Sequence, residues 1–237
     1  MPDQHILRAF DRDLEEIQAR IMKMGGLVEA AILESARALR QRDPALAEEV
    51  RRADKAIDRL EEEINEEAAR LLALRQPAAS DLRTVLTVIR IAGDLERMGD
   101  YAKNLAKRTV VLIEMPRVEG AAGAIRRMAK EVEQMLKDAL DAYMRRDAAL
   151  AEDVRQRDLE VDQMYTALFR EFLTFMMEDP RRITPCMHLH FIAKNIERMG
   201  DHVTNIAEQV IYLVTGEMPD EARPKATDIA PPSAGGA

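Results

Sequence analysis

Two copies of a short acidic motif contain the residues of this chain that are best suited to chemistry. The pentapeptide Glu-Arg-Met-Gly-Asp occurs at 96–100 and again, 101 residues later, at 197–201. An asparagine follows each copy, at Asn104 and Asn205. Within a helix, the Glu and the Asp of each copy lie one turn apart on the same face. Because such a match rarely arises by chance, the chain is predicted to contain an internal duplication.

A second acidic pair precedes each copy of the motif. The spacing Asp-x-x-x-Asp occurs at Asp54 and Asp58, and again at Asp158 and Asp162. Each pair lies about 20 residues before a proline-containing break, and each Glu/Asp motif lies about as far after that break. Since every helical residue adds the same rise, an antiparallel hairpin brings the two pairs level. Each half of the chain is therefore predicted to gather four carboxylates.

The side of the helix that carries these carboxylates decides whether they are solvated. On a helical wheel, the second Asp-x-x-x-Asp pair shares a sector with Val161 and Phe169, and the first Glu/Asp pair shares one with Leu82 and Val110. A single acidic pair in so charged a chain is usually a solvated helix face. The duplication, the apolar sector and the matched heights together favour a site instead.

Four carboxylates at one level repel one another and lose hydration unless something neutralises them. Pairing with Arg97 or Arg198, protonation of some of the groups, or bound cations would each achieve this. Hard cations such as Mg²⁺, Ca²⁺, Mn²⁺ or iron take oxygen ligands from carboxylates and amides, and we favour them over arginine pairing. The predicted metal ligands are Asp54, Asp58, Glu96, Asp100, Asp158, Asp162, Glu197 and Asp201, with Asn104, Asn205 and His190 as additional candidates.

The composition indicates an all-helical protein. Ala, Leu, Glu, Arg and Met dominate, tryptophan is absent, and 33% of the residues are charged, which is typical of helical bundles and too poor in β-branched and aromatic residues for sheets. A net charge of −8 argues against nucleic-acid binding as the main role. The single cysteine, the lack of a secretory signal and the lack of a membrane-spanning run predict a cytoplasmic protein.

Two similar halves follow from the pattern of breaks. Apolar residues recur every three to four positions from Leu7, with Gly25-Gly26 interrupting the first helix as a kink or a close helix crossing. Arg42-Asp43 recurs as Arg146-Asp147 at the start of the next helix in each half. We predict two pseudo-symmetric antiparallel three-helix bundles. Their bounds are 5–115 and 119–216, followed by a disordered C-terminal tail at 217–237.

The duplicated motif and its surroundings resemble the PhoU family of bacterial phosphate-uptake regulators. The resemblance runs from about His5 to Thr215 and includes Met24-Gly25-Gly26-Leu27-Val28-Glu29 and Asp81-Leu82-Arg83. Its most specific parts are Asp94–Ala102 and Asn195–His202, which contain the two motifs. One position differs between the halves, since Asp94 is replaced by Asn195, and this position lies off the acidic face.

The resemblance implies a cytoplasmic regulator of phosphate homeostasis, commonly a homodimer, with the paired three-helix fold. It also implies multinuclear metal sites at the eight carboxylates, with iron, manganese, magnesium or zinc as the ion. Its implied partners are a membrane sensor histidine kinase (PhoR-like) and the ATPase of the high-affinity phosphate ABC transporter (PstB-like). Through them, family members repress the phosphate-starvation response and restrain phosphate uptake.

Two other interpretations stay open at this point. The first is a carboxylate-bridged metal enzyme or metal store in a helical bundle, although such enzymes typically use Glu-x-x-His and none of the four histidines has a Glu three residues earlier. The second is a purely structural dimeric bundle whose acidic pairs are bridged by arginine. We therefore predict a regulatory adaptor that is not an enzyme.

Overall fold

The computed structural model describes residues 2–75 and 79–219, and six long helices account for nearly all of them. The helices are α1 (Pro2–Gln41), α2 (Pro44–Arg75), α3 (Ser80–Ile113), α4 (Ala121–Arg145), α5 (Ala148–Glu178) and α6 (Ile183–Thr215). No strand occurs in these two ranges, so the all-α prediction is confirmed. The predicted break at Gln76-Pro77, and the predicted tail from residue 220 onward, lie outside the described residues.

The turns between helices use the same chemistry in both halves. Arg42 and Arg146 adopt the left-handed conformation, with φ of 56° and 52°. The side chains of Asp43 and Asp147 then accept hydrogen bonds from backbone N–H groups in the first turn of the next helix, at 2.9 to 3.1 Å. Each aspartate satisfies donors that would otherwise lack a partner. The repeated Arg-Asp dipeptide is therefore a helix start, as predicted.

The six helices form two three-helix bundles that share a broad interface. Within the bundles, α1, α2 and α3 contact one another, as do α4, α5 and α6. Between the bundles, α1 packs on α4 and α3 packs on α6. The helices α2 and α5 contact only their own bundle among the described residues, so they lie on the outer flanks. Each predicted acidic site therefore lies between an outer helix and a central one.

The segment between the bundles is held by an arginine from the first turn. The guanidinium of Arg42 donates to the carbonyl oxygens of Leu112 and Met115, both at 2.7 Å, and to that of Ile113. These carbonyls lie at the carboxyl end of α3, where the helix leaves acceptors unpaired and where a positive charge is favourable. The link between the halves is thus tied to the first bundle.

The glycine pair of α1 does not interrupt the helix. α1 continues through Gly25 and Gly26, so the predicted interruption is wrong, but the predicted close crossing is confirmed. A Cβ atom on Gly25 would overlap a methyl carbon of Leu140 on α4, whereas one on Gly26 would meet nothing within 4 Å. Gly25 therefore lets the two bundles approach at the α1–α4 contact.

We expect alanine at these two neighbouring glycines to change stability in opposite directions. Gly26→Ala should raise the free energy of unfolding by about 0.5–1 kcal/mol, because alanine favours the helix. Gly25→Ala should lower it, because crowding the packed Leu140 costs about 1–3 kcal/mol. Urea denaturation measures both. In a Leu140→Ala background Gly25→Ala should become stabilising, and equal effects of the two glycine variants in the parent chain would contradict the close crossing.

A second expectation concerns Glu29 on α1, which faces α4. Burial, and then the nearby Glu133, raises the pKa of the Glu29 carboxyl. The Glu29 carboxyl therefore binds its proton more tightly in the folded protein than in the unfolded chain. The stability that this carboxyl contributes is fully present below its unfolded pKa, and it is lost as the pH rises through its folded pKa. Glu29→Gln should make the free energy of unfolding less dependent on pH. It should raise that free energy at pH 7 by about 0.5 kcal/mol, a small amount because interactions between partly exposed charges are weak.

Denaturation curves measured between pH 4 and pH 7 provide the readout for the Glu29 prediction. Glu49, an exposed carboxylate on α2, provides the matched control, and Glu49→Gln should leave the pH profile unchanged. A profile that is identical in wild type and Glu29→Gln would show that the α1–α4 contact does not penalise the ionised carboxylate.

Candidate metal centres

The first acidic cluster forms where α2 and α3 run antiparallel. Asp54 and Asp58 lie on α2, and Glu96 and Asp100 lie on α3. Burial raises the pKa of Asp58, and the charges of Asp54 and then Asp100 raise it further. Burial also raises the pKa of Glu96, with further contributions from Asp100 and Asp58. Asp54 and Asp100 also contact one ammonium group, that of Lys103, so the carboxylates of α2 and α3 lie at one level.

Asp54 is the deepest carboxylate of this cluster. Its residue surface is only 3% exposed, and its Oδ1 atom is buried without a hydrogen-bond partner. Gly99 lies opposite, where a Cβ atom would be 3.0 Å from Ile57 and 3.4 Å from Asp54 Oδ1. Glycine at position 99 therefore allows α2 and α3 to approach beside the buried carboxylate. Without another partner, an anion so placed is costly.

A lysine supplies the positive charge in this cluster. The Nζ atom of Lys103 lies 2.5 Å from Asp54 Oδ2 and 3.0 Å from Asp100 Oδ1. The hydrogen bond to Asp54 is the largest cause that raises the pKa of Lys103, so its charged form is strongly favoured. Arg97, a predicted candidate for pairing with the carboxylates, has a side chain that is 66% exposed, and its Nε atom lies 3.7 Å from Glu96 Oε2.

Sequence reasoning did not identify Lys103. The available signal was its position three residues after Asp100, which places the two side chains on the same face of α3.

The second cluster repeats the arrangement between α5 and α6. Asp158 is 6% exposed, and a Cβ atom on Gly200 would lie 3.1 Å from its Oδ1 atom. Burial raises the pKa of Glu197, and Asp201 and Asp162 raise it further, whereas Lys194 lowers it. The ammonium of Lys194 donates to Glu197 Oε1 at 2.6 Å, while Glu197 Oε2 is buried without a hydrogen-bond partner. Asp162 on α5 and Asp201 on α6 therefore both lie near Glu197, and Asp158 lies beside Gly200.

The apolar sectors predicted to surround the carboxylates are only partly buried. Leu82, Val110 and Phe169, which share the predicted sectors, are exposed, whereas Val161 of the same sector is buried. Asp54 and Asp158, by contrast, are buried, and the other six carboxylates are intermediate. The clusters therefore lie at the border between core and solvent, because the acidic face of each helix is rotated partly away from the bundle axis.

The additional candidate ligands have different surroundings. His190 lies among the rings of Tyr165, Phe169 and Phe191, with centroids 5.1 to 5.8 Å away, and its Nδ1 atom is buried without a hydrogen-bond partner. Burial lowers the pKa of His190, which keeps the ring neutral. Asn104 is partly buried on α3.

Asn205 contacts the other bundle through a polar group that sequence reasoning had not assigned. Its amide nitrogen lies 3.4 Å from Asp94 Oδ1, and His202 Nδ1 lies 2.7 Å from the same oxygen. These contacts join α6 to α3 across the interface between the bundles. Asp94 therefore ties the two halves together, and this explains why it lies off the acidic face.

The donor set suits a hard cation, but the side chains as placed do not surround one. Carboxylate oxygens, among them the unpartnered Asp54 Oδ1 and Glu197 Oε2, are the ligands that Mg²⁺, Ca²⁺ and Mn²⁺ prefer. Among the described residues, however, no group of three or more His, Cys, Asp or Glu side chains is arranged to hold a metal ion. Lys103 lies between Asp54 and Asp100, so a cation that binds there must displace its ammonium group.

One exposed surface distinguishes the two bundles. Near the α5–α6 turn, six large apolar side chains are exposed, and Met177 is 86% exposed. This exposed apolar face consists of Phe169, Leu173, Met177, Ile183, Met187 and Phe191. In the first half, the positions equivalent to them by the duplication are Asn65, Ala69, Ala73, Leu82, Leu86 and Arg90. The paired-bundle fold therefore does not itself require this apolar surface.

None of the helices within residues 2–75 and 79–219 combines the length and apolar character that a bilayer-spanning segment requires.

Comparison with known proteins gives a consistent result. The family model described as "PhoU domain" matches the chain twice, at residues 21–109 and 125–210. A protein of Rhizobium meliloti (strain 1021), described as "Phosphate-specific transport system accessory protein PhoU homolog", is 48% identical over 232 residues, 95% of each chain. A protein of Caulobacter vibrioides with the same description is 45% identical, covering 94% of this chain and 96% of its own.

Two solved structures have the same fold. The crystal structure of PhoU from Pseudomonas aeruginosa superposes with a TM-score of 0.85 at 42% identity, covering 88% of this chain and all of the other. The phosphate transport system regulatory protein PhoU from Streptococcus pneumoniae gives 0.83 at 34% identity, covering 90% of this chain and all of the other. These relatives are named as accessory or regulatory proteins. The duplicated acidic motifs, the paired three-helix bundles and these matches lead to one conclusion: the chain belongs to the PhoU family.

Proposed function

We propose that this protein is a cytoplasmic, metal-binding regulatory adaptor that restrains phosphate uptake and the phosphate-starvation response. Family membership supports the link to phosphate transport, since the relatives are named as accessory proteins of a phosphate-specific transport system. The observation that carries the metal-binding part is the pair of carboxylate clusters between α2 and α3 and between α5 and α6. In this proposal the protein acts by binding partners and performs no catalysis.

The metal proposal depends on the donor chemistry of each cluster. Four carboxylates meet at each site, and the pKa values of Asp58, Glu96 and Glu197 are raised by burial and by neighbouring carboxylates. A divalent cation would relieve this repulsion, and it would tie the outer helix of each bundle to the central one. Its role here is to neutralise and cross-link the carboxylates. Iron, manganese, magnesium and zinc are the candidate ions.

Removing one carboxylate from each cluster tests this assignment. Asp100→Ala and Asp201→Ala should each reduce the amount of metal bound per chain by about the content of one cluster. Plasma mass spectrometry on protein purified without chelator measures this amount. Dialysis against EDTA should remove the metal and lower the melting temperature, because uncompensated carboxylates then repel. Glu49→Ala is the matched control. Unchanged metal content in both aspartate variants would exclude these clusters as the binding sites.

The partner side of the proposal concerns the ATPase of the high-affinity phosphate transporter and a membrane sensor histidine kinase. We assign the exposed apolar face to the ATPase, because the names of the relatives link them to the transport system and because exposed apolar patches of this kind mark interaction surfaces. Only two of the six equivalent positions of the first half, Leu82 and Leu86, hold a large apolar residue, which supports a role outside the fold. In this proposal the protein is also a homodimer, and the dimer interface lies outside the exposed apolar face.

Substitutions that introduce the residue found at the equivalent position of the first half test the assignment of this surface. Leu173→Ala together with Met177→Ala should weaken capture of the purified transporter ATPase by tenfold or more, because two exposed apolar contacts are lost. The melting temperature should not change, since both side chains are exposed. Leu86→Ala, an exposed apolar position of the first half, is the control. Capture that is equally strong for both proteins would exclude this face as the binding surface.

A further inference from the structure

A cavity lies where the two bundles and the segment that connects them meet. Its volume is ≈ 580 Å³, within the range of about 300–1,000 Å³ that is typical of small-molecule sites. Buried leucines form its inner wall, and Leu39, Leu112 and Leu189 come from α1, α3 and α6. Its rim is the connecting segment 116–123, which leads into α4. This inter-bundle cavity shares no residue with the acidic clusters.

The lining of the inter-bundle cavity carries a surplus of positive charge. Its basic members are Arg40, Arg42 and Arg117, and Glu119 is the one acidic residue among the described lining residues. Arg40 and Arg117 are exposed, and within the described part of the chain neither side chain forms an ion pair or a hydrogen bond. The whole chain has a net charge of −8, so this wall is a local exception that attracts anions.

Arg42 is held in place at the wall of the inter-bundle cavity. It is half-buried, and its Nη2 atom donates to the carbonyl oxygens of Leu112, Ile113 and Met115. Its Nε and Nη1 atoms make no hydrogen bond to any described residue. A guanidinium presents its N–H donors in a planar fork, which binds oxyanions such as phosphate through two donors at once. The anchored group therefore has donors left for an anion.

The start of α4 adds backbone donors beside these arginines. Gly120, Ala121 and Gly123 line the inter-bundle cavity, and Gly120, which precedes the helix, has no side chain that could cap its first N–H groups. Free N–H groups at a helix start favour negative charge, and phosphate in particular. They supplement the guanidinium groups, which are the main source of positive charge.

We propose that the inter-bundle cavity binds the phosphate group of a small organic molecule. The three arginines neutralise the phosphate, and the body of the molecule lies against the leucines of the inner wall. A free phosphate ion would leave most of the cavity and its apolar wall unfilled. Because the walls come from both bundles, the bound molecule contacts both. This inference depends neither on metal at the acidic clusters nor on the exposed apolar face.

Isothermal calorimetry on the full-length protein as purified tests this site, with AMP, inorganic phosphate and adenosine as the probes. AMP should bind more tightly than inorganic phosphate by about tenfold or more, because its body covers apolar surface. Adenosine, which lacks the phosphate, should give no measurable heat. Arg40→Gln and Arg117→Gln should each weaken AMP binding by about tenfold, the effect of losing one hydrogen bond to a charged group. Neither variant should change the melting temperature, since both side chains are exposed.

Two further variants serve as matched controls for charge. Arg146 occupies the position equivalent to Arg42 in the second half, is exposed and does not line the inter-bundle cavity. Arg146→Gln should therefore leave the affinity for AMP unchanged, although it removes the same charge. Glu119→Gln should strengthen AMP binding, because it removes the carboxylate from the lining. Titration after dialysis against EDTA should give the same affinity, which separates this site from anions held by a metal.

The outcomes distinguish the ligand from the site. AMP binding that Arg40→Gln and Arg117→Gln weaken, and that Arg146→Gln leaves unchanged, supports the proposal. Inorganic phosphate that binds as tightly as AMP, with the same dependence on the arginines, would overturn the organic ligand in favour of the free ion. Absence of binding of both probes up to millimolar concentrations would overturn the site. An equal loss in the Arg40 and Arg146 variants, or a loss of binding after EDTA dialysis, would overturn it as well.

Discussion

The packing of an acidic helix face against another acidic helix face is the constraint on which this structure depends. Helices α2 and α3, and likewise α5 and α6, approach closely at Gly99 and Gly200, and at that approach each pair brings four carboxylates to one level. Burial of such charges is unfavourable unless cations accompany them. The helices supply part of the compensation themselves, through Lys103 and Lys194. One oxygen of each of two carboxylates, Asp54 Oδ1 and Glu197 Oε2, is buried and has no hydrogen-bond partner, so this compensation is incomplete.

This constraint affects how the outer helices are attached to the rest of the protein. α2 and α5 are outer helices, and their contacts among the described residues are confined to their own bundle. The charge state at each cluster therefore controls how firmly an outer helix is held to the central four.

The duplication provides an internal reference for separating fold from function. Features present in both halves, such as the Arg-Asp turns and the glycines opposite Asp54 and Asp158, serve the packing of a three-helix bundle. Features present in one half only need another explanation. The bridging position of Lys103, the exposed apolar face beside the α5–α6 turn, and the pair of Asp94 with His202 belong to this second group. The common frame of the two bundles therefore does not account for these differences.

The sequence by itself determined the helical class, the duplication, the helix ends at Asp43 and Asp147, and the level at which the carboxylates meet. These properties depend on residue spacing along one helix or one hairpin, and the constant rise and turn of the α-helix make that spacing readable. Only the tertiary structure decided which residues of each acidic helix face are buried, because the rotation of a helix about its axis is set by all its neighbours. For this reason the sequence did not show that Leu82, Val110 and Phe169 are exposed, although they share a helix sector with the carboxylates. The contacts of Lys103 with Asp54 and of Asp94 with His202 join different helices, and a periodicity along one helix contains no information about them.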